Sequence, residues 1–179
     1  MRHYRDVVVE RWQDIVWSVI PGPPEYRPDR VATAFQALLV PHGDDWADAA
    51  TMMRCAVGND HGGTIYPAAV AATEAMLDII EAHPGRPRRT ALGVLLDWWA
   101  SFDPEPGYEE YLDTTGQRVD VLAAMQRTVL DASQALEQVS ADRNDTVSDG
   151  LAAELLTCAR SGWGVWIGPD GSVCRRTDR

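Results

Sequence analysis

Apolar residues recur along this chain in bursts with helical spacing, and proline or glycine bounds nearly every burst. Val8, Trp12, Ile15, Val16 and Val19 fall at i, i+4, i+7, i+8 and i+11, one face of a helix that Pro21-Gly-Pro-Pro ends. Pro28 suits the first turn of the next helix, with Val31, Phe35, Leu38 and Leu39 on its apolar side. After the breaker Pro41-His-Gly-Asp-Asp, Asp44 is placed to cap a helix carrying Trp46, Ala49, Met53 and Ala56, which Gly58-Asn59 stops. Pro67 opens a helix with Ala69, Thr73, Met76, Leu77 and Ile80 on one face, and His83-Pro84-Gly85 closes it. Pro87 opens another, striped by Leu92, Leu95, Leu96 and Trp99. Val94, Trp98 and Phe102 widen its apolar surface, the pattern of a helix packed on both sides.

Residues 103–117, rich in proline, glycine and carboxylates, read as an insertion-like loop. Leu122, Met125, Val129, Ala132, Leu136 and Val139 then alternate by three and four over more than two heptads, which predicts one long helix. Val147, Leu151, Leu155 and Cys158 mark the last helix. In the tail, Val165-Trp-Ile and Ser172-Val-Cys flank Gly168-Pro-Asp-Gly171, which predicts a β-hairpin, the one place where strand is expected. The expectation is a single helical-repeat domain over residues 1–160, with 161–179 as a tail or hairpin.

Taken in pairs, the helices repeat. Pro28 and Pro67 open first helices about 39 residues apart, and Asp45 and Pro87 lie near the starts of second helices about 42 apart. A period near 40 with two helices per unit predicts an all-α fold, a short HEAT-like α-solenoid of stacked antiparallel pairs. The segment Asn59-Asp-His-Gly-Gly-Thr-Ile-Tyr-Pro-Ala-Ala-Val-Ala-Ala-Thr is more specific. It resembles the HQGTVYPAAVAAVPFL junction of bacterial HEAT-repeat-like proteins, over roughly residues 12–102. A glycine stands where that family has glutamine, and Glu74-Ala75 where it has Pro-Phe. The resemblance implies an α-solenoid that binds protein, in some cases as an immunity protein beside a polymorphic toxin; it transfers no catalytic residue.

Charge narrows the partners. The formal net charge is -11, and arginine carries all the positive charge because the chain has no lysine. Nucleic acid and anionic membrane both need a basic footprint, so neither is expected; a basic protein is. The first residues, Met1-Arg-His-Tyr-Arg-Asp, lack an apolar signal core, and no apolar run approaches the roughly 20 residues that span a bilayer. The three cysteines, Cys55, Cys158 and Cys174, form no CxxC pair. A cytoplasmic protein with reduced thiols is expected.

No catalytic residue, metal or cofactor is predicted. The chain has no GxSxG, HExxH or GxxxxGK. Gly162, Gly164 and Gly168 have the wrong spacing for a dinucleotide loop. His42, His61 and His83 lie in separate loops without ligand spacing. Cys55 beside Asp60 and His61 reads as a buried helical thiol. The enzyme alternative is a magnesium-dependent nucleotide pyrophosphohydrolase, with Asp78-x-x-Glu81 and Glu110-x-x-Asp113 as paired acids on helix faces. A third alternative is a structural or oligomer-forming module built on the heptad helix.

Partner contact is expected at two acid clusters, each with aromatics. One is Asp44, Asp45, Trp46 and Asp48. The other is Glu105, Tyr108, Glu109, Glu110, Tyr111 and Asp113. Aromatic rings supply desolvated area, and carboxylates steer a basic surface. His61 and Tyr66, at the junction, are the remaining loop candidates. Trp98 joins them on geometry: it lies about 100° round the helix from Trp99 and so belongs to a second contact, within the chain or with a partner.

Overall fold

A computed structural model of the protein describes residues 12–39 and 46–176. Its α-helices are α1 (Pro28–Leu39), α2 (Trp46–Val57), α3 (Ala68–Ala82), α4 (Arg86–Ser101), α5 (Val121–Asp131), α6 (Ser133–Ser140) and α7 (Thr146–Ser161). The structure is mostly helical, with short strands between and after the helices. No described helix is long and apolar enough to cross a membrane.

α4 is the centre. It packs on α3 and α7, on α2, and on α1. Its wide apolar surface explains this position, since Ala91, Leu92, Val94, Leu95, Trp98 and Trp99 are all fully buried. Successive helices pair, α1 with α2, α3 with α4 and α6 with α7, and α3 also packs on α5. Buried Arg88 ties α3 to α4. Its Nε and Nη2 donate to the Ile80 and Glu81 carbonyls at 2.7 and 3.3 Å, satisfying the carbonyls that end α3.

Three expectations are corrected. First, the described part of the N-terminal stripe is not an α-helix. Residues 12–20 hold only a 3-10 turn at Trp17–Val19, and Val16 and Val19 are 60 % and 57 % exposed. The reason is Phe35, against which both Trp12 and Trp17 stack, at 5.4 and 5.8 Å between centroids. Residues five apart on an α-helix point about 140° apart, so both rings reach one partner only off that path. Burying each large side chain contributes about 2 kcal/mol, more than the few tenths per residue of helix propensity. Val8 lies outside the described residues.

Second, the heptad stripe spans two helices. The chain bends at Ala132, where ψ is 9°, far from the helical value, and α6 packs chiefly on α7 while keeping contact with α3. Met125, Val129, Leu136 and Val139 are nonetheless buried, because core contact and not helix continuity sets the spacing.

Third, strand is not confined to the tail. β1 (Gly58–Asn59) pairs antiparallel with β2 (Thr64–Ile65), which pairs parallel with β3 (Asp103–Pro104). β4 (Glu110–Leu112), inside the segment read as a loop, and β5 (Arg118–Asp120), just past it, form an antiparallel hairpin. Gly58 is required where β1 meets β2, since a Cβ there would lie 2.4 Å from the Thr64 carbonyl oxygen.

The tail forms its hairpin as expected. β6 (Val165–Ile167) pairs with β7 (Val173–Arg175), and β6 packs on α4 and α7. Gly164 N–H donates to the Trp99 carbonyl at 3.0 Å, and Arg176 pairs with Asp103.

Candidate functional site

The structure brings one of the two acid clusters, Glu105 to Asp113, to the junction. Asp44 and Asp45 lie outside the described residues. Trp46 is the first residue of α2, and Asp48 is exposed in its first turn, where a carboxylate suits the helix dipole.

At the junction, the β1–β2 turn is held from below by Arg54 of α2. Its Nε donates to Asp60 at 2.6 Å, its Nη1 to Asp97 of α4 at 2.8 Å and its Nη2 to Thr51 at 3.0 Å. His61 sits exposed on this turn, which the Asn59 side chain closes by accepting the Gly62 N–H at 3.0 Å. Tyr66 is buried under the turn, edge-on to Tyr26 at 5.9 Å. Burial, then the Glu105 and Glu25 carboxylates, push the Tyr66 phenol up; burial pushes Tyr26 up to about 12. Both rings stay neutral and serve as packing.

Residues 103–120 then run past the junction. Thr64 donates its hydroxyl to Glu105, and the Glu105 N–H donates to the Ile65 carbonyl at 2.8 Å. Tyr108 donates its hydroxyl to the Gly22 carbonyl at 3.2 Å. Strand alternation turns half-buried Tyr111 and Val119 inward, while Glu110, Leu112, Arg118 and Asp120 are exposed. Asp113 holds the β4–β5 turn. It accepts from Thr115 N–H and hydroxyl and from Gln117 N–H at 2.7–2.9 Å, and these bonds lower its carboxyl pKa. Backbone N–H groups of Glu109 and Gly107 likewise lower that of Glu109.

The second cluster therefore divides. Glu105 and Asp113 are engaged in holding the segment, and Tyr108 and Tyr111 pin it to the core. Glu109 and Glu110 face solvent, with Glu110 2.7 Å from Arg118. Between them and the turn stands Leu112, 61 % exposed. Sequence reading missed Leu112 because the segment looked like a loop; its alternation with Tyr111 was the available signal. It also missed Arg54, Asp97 and Thr64, whose partners lie far off in sequence.

Other expectations change. Trp98 is fully buried within the chain, so it presents no surface to a partner; α4 is covered on that side too. Glu110 and Asp113 lie on a hairpin and share no helix face, which removes one of the two carboxylate pairs from the magnesium alternative. Cys55 is exposed and not buried, and its thiol pKa is raised, by desolvation first and by Asp60 next. Among the described residues no group of three or more His, Cys, Asp or Glu side chains is placed to hold a metal ion. His42 lies outside the described residues. The geometry presents fixed negative charge beside an exposed apolar side chain.

Comparison with protein-family models, with curated proteins and with solved structures finds no match to this chain.

Proposed function

We propose that the chain is a non-catalytic, protein-binding helical-repeat protein whose acidic surface takes a basic partner. The observation that carries this reading is the pinned 103–120 segment, which holds Glu109, Glu110 and Leu112 outward on a hairpin anchored to the core at Thr64, Gly22 and Tyr111. A surface ordered before contact loses little entropy on binding. The net charge of -11 favours a basic protein and hastens the encounter. Its sharpest form is an immunity protein that neutralises a basic toxin. The pairing of α1 with α2, α3 with α4 and α6 with α7 supports reading the helices as a short HEAT-like solenoid of antiparallel pairs.

The test is affinity capture from the native host, with the partner identified by mass spectrometry. Association is then measured over a salt series for the wild type and for Glu109→Gln with Glu110→Gln. The expected result is a basic partner and an on-rate several-fold lower in the variant, roughly threefold at low salt, with weaker salt dependence. An acidic partner, or binding indifferent to both salt and substitution, refutes the proposal.

A further inference from the structure

β6 and β7 form a sheet of two strands, so each has an edge with no strand beside it. β6 is the strand that packs on α4 and α7, through fully buried Val165, while Val173 and Arg175 of β7 are exposed. The ladder fixes which groups of β7 face outward. Arg176 N–H donates to the Gly164 carbonyl at 2.7 Å and Gly168 N–H to the Ser172 carbonyl at 2.8 Å, which makes Trp166 and Cys174 a hydrogen-bonded pair between them. The N–H and C=O groups of Val173 and Arg175 therefore point away from β6, along the outer edge. Natural edges are usually blunted by proline, a bulge or a charged side chain. β7 has no proline, its register with β6 runs without a bulge, and both of its arginines are turned back on their own chain. Arg175 Nη2 donates to the Ser161 carbonyl at 2.9 Å, and Arg176 pairs with Asp103.

We propose that this edge pairs with the same edge of a second copy of the chain, antiparallel about a two-fold axis, to give one sheet in the order β6-β7-β7-β6. The inference goes beyond the partner-binding reading above and does not depend on it. Val173 of each copy then lies opposite Arg175 of the other, so each outward N–H meets an outward C=O. Charge selects the same direction. Asp170 lies in the turn at one end of β7 and Arg175 at the other, on the neutral Ser161 carbonyl. Antiparallel pairing brings each Asp170 toward the arginine end of the other strand, whereas parallel pairing would set like charges side by side. This register also places Cys174 opposite Cys174 of the second copy, in a non-hydrogen-bonded pair with Cα atoms about 4.5 Å apart. A disulfide spans about 4.4–6.8 Å between Cα atoms. Cys174 and its ladder partner Trp166 share the face turned away from the helices, since Val165 takes the other. With their counterparts they form one row across the sheet, which gives half-exposed Trp166 an extended surface to pack along.

The full chain is followed by sedimentation velocity, and by amide hydrogen exchange read by 1H–15N NMR, from roughly 10 µM to 1 mM, the range suited to a small interface. The average mass is expected to rise toward the dimer. Exchange at the Val173 and Arg175 amides should slow with concentration, while that of Leu112, whose N–H faces outward on β4, stays constant. Diamide is then added at the high concentration; it takes two electrons and two protons from a pair of thiols as they join. The disulfide between Cys174 of the two copies is expected to exceed any that involves exposed Cys55 by about tenfold. Val173→Pro removes an outward N–H and no bond to β6, and should lower both the dimer fraction and the disulfide yield about tenfold. The wild-type exchange measurement decides the matter even where that variant folds poorly. A monomeric mass throughout, exchange at Val173 and Arg175 indifferent to concentration, disulfides spread evenly over Cys55 and Cys174, or a folded Val173→Pro variant that dimerises unchanged overturns the proposal.

Discussion

Trp99 and Trp163 lie with ring centroids 4.6 Å apart, and each indole N–H reaches into the other's segment. Trp99 donates to the Gly162 carbonyl at 2.8 Å, and Trp163 donates to the Phe102 carbonyl at 2.7 Å. This reciprocal clasp fastens the tail to the end of α4. Replacing Trp163 by alanine removes the ring and one bond of the clasp together. We expect a loss of about 3 kcal/mol in urea unfolding and faster tryptic cleavage at Arg175 and Arg176. Unchanged proteolysis would show that β6 and β7 hold without the clasp.

The adjacent Trp98 supplies an internal control. It is as fully buried as Trp99, but its indole N–H has no hydrogen-bond partner among the described residues. Phenylalanine at either position removes similar volume, while only at Trp99 does it also orphan a carbonyl. Trp99→Phe is therefore expected to be less stable than Trp98→Phe by about 1 kcal/mol. Equal losses in the two unfolding curves would mean that the Trp99 bond contributes nothing net.

Acid sensitivity is expected to centre on Asp145. Burial alone raises its pKa, but Ser148, through hydroxyl and N–H, and Arg89, at 2.9 Å, outweigh burial and hold the carboxyl below its usual range. A depressed folded pKa gives stability that is complete above the unfolded value, about 3.9, and is lost as pH falls through the folded value. Asp145→Asn should cost about 2 kcal/mol at neutral pH, through the weakened cap and the lost ion pair. It should also flatten the stability profile below about pH 4. A variant with an unaltered acid limb would assign that limb to other carboxylates.

The cysteines are expected to separate by reactivity. Burial, with Glu154 adding, pushes the Cys158 thiol up to about 11, so near pH 8 it is almost wholly protonated as well as inaccessible. Mass spectrometry after brief alkylation of native protein should find Cys158 unmodified, with label confined to Cys55 and Cys174. Full labelling should require unfolding. Early modification of Cys158 would reveal local opening of α7.

Much of the helical pattern was legible because proline, glycine and the spacing of apolar residues act locally. Pro28 opens α1, Pro87 lies in the first turn of α4, and the breadth of apolar surface around Trp98 and Trp99 marked α4 as central. The failures came where distant partners decide. Phe35 draws Trp12 and Trp17 off the helical path, and nothing within residues 12–20 announces it. Asp103 and Pro104 became a strand because β2 offered its edge, a pairing across 39 residues of sequence that no local pattern encodes. In the candidate surface, composition identified the acidic segment but did not separate Glu105 and Asp113, which hold it together, from Glu109 and Glu110, which face outward. That division depends on where Thr64 and the turn amides lie.

The clasp also bears on the time course of folding. The contacts that finish α4 come from residues 56 to 76 positions further along: Asp145 for Arg89, Gly162 for Trp99, and Arg176 for the Ala100 carbonyl. A chain emerging from the ribosome therefore holds its central helix half-covered until the last hairpin has been made. Such long-range closure slows folding and prolongs the exposure of sticky surface. Shortening the chain ahead of Trp163 would extend that vulnerable interval indefinitely, so truncated products should partition to aggregates or proteases rather than persist as smaller folded helical proteins.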